Sequence, residues 1–155
     1  MNLYLVQHAL AKSKEEDPRR SLSERGLGEL EKTASFVSSQ TTIEVKRIVH
    51  SGKNRARQTA EIFSKYLTPV EGVTPAEGLN PMDDPGWWVE KLSEEPDNLM
   101  LVGHLPHLDK LASRLLCGRA DAGPVAFQNA GIVCLTKTEP DIWEITAMIT
   151  AQLLK

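Results

Sequence analysis

The chain has 155 residues, 41% hydrophobic and 25% charged, the size and composition of one ordinary folded domain. Eighteen Lys and Arg stand against 21 Asp and Glu, a net charge of −3, which makes nucleic acid and anionic membrane surfaces poor partners. No apolar run approaches the roughly 18 residues of a membrane span, the first ten residues lack the features of a secretory signal, and Cys117 and Cys134 form no CxxC pair. The expectation is a soluble, cytoplasmic protein with a single domain over residues 1–155.

Short β-rich runs alternate with helical patterns along the chain, the signature of an α/β fold. Asn2–Val6 is an apolar run ending at Gln7-His8. Leu27, Leu30, Ala34 and Val37 follow helical spacing, with Ser23 as N-cap and Ser21-x-x-Glu24 as a capping box. Arg47–Ser51 reads as a second buried strand, and Ala56, Ala60, Phe63 and Leu67 as one face of a second helix. The segment from Thr68 to Gly86 holds four of the nine prolines and three of the ten glycines. It reads either as a lid or binding loop or as a short strand between turns. Trp87 and Trp88 then start a half-buried helix. Asn98–Val102 is the third strand. Leu108, Leu111, Ala112 and Leu115 form the stripe of the following helix, with Pro106 near its start. Gly131–Lys137 and Trp143–Ile149 are two final strands joined at Glu139-Pro140-Asp141. Both cysteines fall in apolar settings and read as inert core residues.

Three strands end in polar residues: Gln7-His8, Ser51 to Arg55, and Gly103-His104. Separations of 47 residues from His8 to Arg55 and 49 from Arg55 to His104 leave room for crossover units of about 30 residues. Ligands of open α/β sheets sit at the carboxyl ends of strands, so two imidazoles and a guanidinium are expected to share one cleft. Arg55 falls in the first turn of its helix, which favours an anion, and its planar donors suit phosphate. A neutral imidazole is a competent nucleophile, and a second one, if protonated, stabilises a phosphoryl oxygen. The chemistry is that of phosphoryl transfer without a metal.

The order LVQHA at 5–9, S-x-x-x-R-A-x-Q-T-A at 51–60 and VGHLP at 102–106 resembles the histidine phosphatase superfamily, specifically its short SixA-type phosphohistidine phosphatases. Ser51, Arg55, Ala56, Gln58, Thr59 and Ala60 all match in register. Arg20 to Gly26 is similar to the R-P-L-T-x-x-G segment of short members, with Ser21 in place of proline. The resemblance implies a three-layer αβα sandwich around a mostly parallel sheet, with no inserted cap. It also implies a phosphohistidine intermediate, no cofactor and no metal. His8 corresponds to the nucleophile, Arg55 to the phosphate-binding arginine, His104 to the second pocket histidine and Arg20 to an arginine lining the site. The implied substrate is a phosphorylated protein, with phosphohistidine foremost, or a small phosphorylated molecule.

Two positions depart from the family's R-H-G. Gln7 brings an amide where the family has a guanidinium, which removes a charge-assisted contact to phosphate. Ala9 replaces glycine, at a cost of roughly 1 kcal/mol if the position requires a left-handed backbone. These departures keep a phosphate- or phosphoprotein-binding module in view beside a phosphohistidine phosphatase and a small-molecule phosphomonoesterase. Lys53 and Arg20 are candidates to restore the missing charge. Arg57 falls about 200° round the helix from Arg55 and is expected to pair with Glu61, while His50 faces away from the site by strand alternation. His104-x-x-His107 lacks the partners of a metal centre. Glu77, Asp83 and Asp84 are the candidate general acids, and the sequence does not choose among them.

Overall fold

The computed structural model describes residues 1–155. Its elements in chain order are β1 (Asn2–Gln7), α1 (Glu24–Gln40), β2 (Arg47–His50), α2 (Asn54–Leu67), β3 (Val73–Pro75), α3 (Gly86–Glu94), β4 (Leu99–Gly103), α4 (His107–Cys117), β5 (Ile132–Glu139) and β6 (Ile142–Ile149). One six-stranded sheet has the order β3-β2-β4-β1-β5-β6. The first four strands are parallel, while β5 is antiparallel to β1 and β6 to β5. No helix is long and apolar enough to cross a membrane.

Strand alternation divides the core into two layers. Tyr4, Val6, Ile48, Met100 and Val102 face α1 and α2, packing on Leu30, Ala34, Val37, Ala60 and Phe63. Leu3, Leu5, Val49, Leu99 and Leu101 face the other way, onto Trp88, Leu92, Leu108, Leu111 and Leu115 of α3 and α4. With both faces covered, β1 and β4 carry nearly continuous apolar runs, as buried parallel strands require. The expected αβα sandwich is the observed one.

Several local expectations change. The Thr68–Gly86 segment is the short strand between turns, because Val73 and Thr74 pair with Ile48 and Val49. Ser23 caps α1, its Oγ accepting from the Gly26 N–H at 3.0 Å. The Ser21-x-x-Glu24 capping box does not form: Ser21 precedes the cap, and its N–H donates to Asp17 instead. Leu27 is exposed because Gly26, not Leu27, takes the buried position in the first turn. A Cβ on Gly26 would lie 2.0 Å from the Leu10 carbonyl oxygen, so only glycine lets α1 approach the chain leaving β1. Cys134 is buried, but Cys117 is exposed at the end of α4 and is not a core residue.

Candidate active site

β2, β4 and β1 are neighbours in the sheet, so Ser51, His104 and His8 emerge side by side at their carboxyl ends. The His8 and His104 rings lie 5.0 Å apart at 53°. Nδ1 of His8 is 2.7 Å from the Ala9 carbonyl oxygen. A carbonyl only accepts, so Nδ1 carries the proton and Nε2 holds the free lone pair. The Arg55 Nε–H donates to that Nε2 at 3.3 Å. His104 Nε2 lies 2.6 Å from Ser51 Oγ, which itself accepts from the Lys53 N–H.

Burial pushes the His8 imidazole down from the ordinary 6.5 to about 4. The hydrogen bond to Ala9 opposes that shift, and the nearby Arg55 and Arg20 charges add to it. His104 falls further, to about 3, through burial first and then His8, Arg55 and Lys53. Arg55 is itself lowered by burial and by Arg20. Arg20, Lys53 and Arg55 therefore all act on this cluster, and none is ion-paired to a carboxylate.

The polar members of the 51–60 motif hold the cluster together. Thr59 Oγ1 accepts from the Ala9 N–H at 3.0 Å and donates to the Arg55 carbonyl at 2.7 Å. Gln58 Oε1 accepts from the Leu22 N–H, and the Asn54 amide donates to the Arg19 carbonyl and to Ser21 Oγ. Ala56 and Ala60 are fully buried beneath them. These bonds fix the loop that delivers Arg20. Arg20 has φ 48°, a left-handed conformation that costs an L-residue roughly 1–2 kcal/mol. The loop holds it there through Arg20 N–H to the Asp17 carbonyl, Arg20 Nε–H to the Lys12 carbonyl, and the Asp17 carboxylate accepting from Arg19 and Ser21 N–H groups.

Gln7 sits beside His8 with Oε1 buried and unpartnered. Ala9 is fully buried and its φ is not positive, so the strain considered for an alanine at this position is absent. Arg57 turns away to Glu61 and Asn54. His50 is buried and its Nδ1 accepts from the Gly52 N–H. No group of three or more His, Cys, Asp or Glu side chains is arranged to hold a metal ion. The candidate general acids are not brought to His8. Asp83 and Asp84 accept from the Asn80 and Gly86 N–H groups, Asp84 also faces Arg114, and their charge acts on His107. The Glu77 side chain is exposed, with only its backbone carbonyl engaged, by Trp88 Nε1. Asp83 and Asp84 belong to the turns that lead into α3, whose free N–H groups attract them.

Two contributions were not read from the sequence. Ser51 bridges to His104, and Asn129 donates from its side-chain amide to the His8 carbonyl at 2.8 Å. Asn129 lies 121 residues from His8, and its only sequence signal is a polar residue just ahead of a buried strand.

No protein-family model matches the chain, and no curated protein sequence matches it. Solved structures do. The protein histidine phosphatase SixA complexed with tungstate superposes with a TM-score of 0.85 at 24% identity, covering 100% of both chains. A SixA-type protein from Agrobacterium tumefaciens gives 0.76 at 21% identity over 96% of this chain and 97% of its own. An alpha-ribazole phosphatase from Shigella flexneri gives 0.79 at 12% identity over 97% of both. The chain has the fold of the histidine phosphatase superfamily.

Proposed function

We propose that this protein is a phosphatase that works through a phosphohistidine intermediate on His8, and that its substrate is phosphohistidine in a protein. The observation that carries the reading is an unprotonated Nε2 on His8, engaged by Arg55, in a cluster where Arg20, Lys53 and Arg55 act on the two imidazoles without counter-ions. The Nε2 lone pair attacks phosphorus, the bond from phosphorus to the substrate nitrogen breaks, and the departing imidazole takes a proton from solvent. Water then attacks the phosphoryl group, the bond from phosphorus to His8 breaks, and phosphate leaves. The proton consumed in the first step is released in the second. Arg55 and Arg20 hold the phosphoryl oxygens, and their charge counts most where negative charge develops. His104, tied to Ser51, presents the second imidazole.

Phosphohistidine is favoured over an ester because no carboxylate is hydrogen-bonded or ion-paired to His8, Arg55 or His104. An alkoxide leaving group needs an acid positioned beside it, whereas imidazole leaves once protonated by water. We read residues 1–155 as one domain without a cap, which leaves the strand ends open to a protein surface. A second reading is a phosphoprotein-binding module. It draws on Gln7, whose amide lacks the charge of an arginine.

The test is trapping. Mixed with a phosphohistidine peptide and quenched in alkali, the wild type is expected to carry an acid-labile phosphoryl label that His8→Ala lacks. Phosphate release without any label overturns the covalent mechanism. Binding with neither label nor release establishes the module.

A further inference from the structure

We infer that the pocket formed by the chain that follows His104 and the chain that precedes Asn129 is a docking subsite for a lysine or arginine side chain of the substrate protein. This rests on the phosphatase reading and names what the substrate carries beside its phosphoryl group. A pocket of about 400 Å³ is lined by Leu105, Pro106, Asp109, Val125 and Phe127, among others. Two of its lining residues adjoin residues of the site along the chain. Leu105 directly follows His104, and Phe127 lies two residues before Asn129, whose amide holds the His8 carbonyl. Val125 and Phe127 are anchored in the core beneath α3 and α4, so this wall is a packed surface.

The chemistry of the pocket is mixed in a specific way. Leu105 is 41% exposed, an apolar side chain left open immediately beside the candidate catalytic histidine. Asp109 is the only charged residue of the lining, and its carboxylate has no hydrogen bond or ion pair within the chain. A cavity with apolar walls and one unneutralised carboxylate fits a long aliphatic stem tipped by a cation. A purely apolar side chain would leave Asp109 without a partner, and an acidic one would be repelled. The mouth of the site is thus divided, with Arg20, Lys53 and Arg55 taking the phosphoryl group and Asp109 with its apolar surround taking a basic side chain. A partner with both features engages in one orientation, which is how complementary charge sets register.

The experiment uses phosphohistidine peptides with a single lysine, alanine or glutamate moved through the four positions on either side of the phosphorylated residue, and p-nitrophenyl phosphate as a small substrate. At one position or a helical pair, the wild type is expected to prefer lysine over alanine by about tenfold in kcat/KM, with glutamate below alanine. Asp109→Lys is expected to reverse the order of lysine and glutamate. If that variant is inactive, Asp109→Asn is expected to bring the two within about twofold. Turnover with no lysine preference at any position overturns the subsite and leaves the phosphatase reading standing. A preference that persists in both Asp109 variants also overturns it. No turnover of any peptide or of p-nitrophenyl phosphate by the wild type overturns the phosphatase reading and the subsite with it.

Discussion

The two ends of the parallel strands treat positive charge in opposite ways. At the amino ends, Lys46 contacts Asp97 at 2.7 Å and Glu71 at 3.6 Å, and Arg47 contacts Glu95 at 2.5 Å and Glu71 at 3.7 Å. Each cation has carboxylates from neighbouring segments. At the carboxyl ends, Arg20, Arg55 and Lys53 have none, although the chain carries more acids than bases. Two histidines sit among them, held neutral, and Gln7 Oε1 and His104 Nδ1 are buried without partners. Native structures satisfy nearly all buried polar groups, so such groups gathered at one end call for an explanation. The amino end is finished within the chain. The carboxyl end is the one that the anion of the proposed substrate would complete.

The largest effect that would break this contrast lies at His8. His8→Ala is expected to reduce phosphohistidine turnover to background while thermal unfolding stays cooperative and close to wild type, since the side chain supplies chemistry and little packing. Turnover within tenfold of wild type removes the nucleophile from the mechanism.

Next comes a matched pair of arginines. Arg55→Ala is expected to lower kcat/KM by roughly a hundredfold, the size of losing one donor to transition-state charge. Arg47→Ala, at the amino end, is expected to leave kcat/KM unchanged and to cost about 1–2 kcal/mol of stability in chemical denaturation, because its ion pair with Glu95 is half-buried. Equal effects of the two on activity dissolve the distinction between the ends.

A smaller change sharpens it. Gln7→Arg adds a cation at the carboxyl end, and Gln7→Arg/Ala9→Gly is the companion variant that also frees the space of the fully buried Ala9 side chain. Phosphate affinity by isothermal titration is expected to rise about tenfold, consistent with a charge-assisted hydrogen bond. No change in affinity shows that Arg20, Lys53 and Arg55 already saturate the anion.

The smallest expected effect concerns acid stability. All four histidines, His8, His50, His104 and His107, are shifted down, each chiefly by burial. Their folded-state values lie below that of the unfolded chain, so the unfolded chain takes up protons first. Their contribution is complete above about 6.5 and is lost as pH falls from there through about 4, where His8 titrates, to about 3, where His104 does. The melting temperature is expected to fall by several degrees over that window and to recover in part with inorganic phosphate, which favours the charged imidazoles. A flat profile between 6.5 and 4 shows that these imidazoles are not held neutral.

Much of the fold was legible because its signals are local and repeated. The continuous apolar runs of Leu3 to Val6 and Leu99 to Val102 follow from strands buried on both faces, and the stripe of Ala56, Ala60 and Phe63 from one buried helix face. The polar residues directly after those runs, His8, Ser51 and His104, could be assigned to strand ends, and a parallel sheet brings strand ends to one side. Leu27 misled because apolar character alone does not tell which neighbour a crowded contact admits. Gly26 took the inner position through its closeness to Leu10.

The sequence by itself determined the alternation of strands and helices, the strand ends and the residue types of the site, since periodicity and spacing are properties of the chain. Only the tertiary structure decided which atoms meet. The tautomer of His8 depends on the Ala9 carbonyl, the support of its backbone on Asn129, and the aim of Arg20 on bonds to Asp17 and Lys12. It also decided that Asp83 and Asp84 bond the N–H groups of the turns ahead of α3 and that none of Glu77, Asp83 and Asp84 is hydrogen-bonded to His8 or His104, because a carboxylate goes to the nearest free N–H groups. Hydrogen bonds are fixed by distances of a few ångströms between segments far apart in the chain, and no pattern along the sequence encodes those distances.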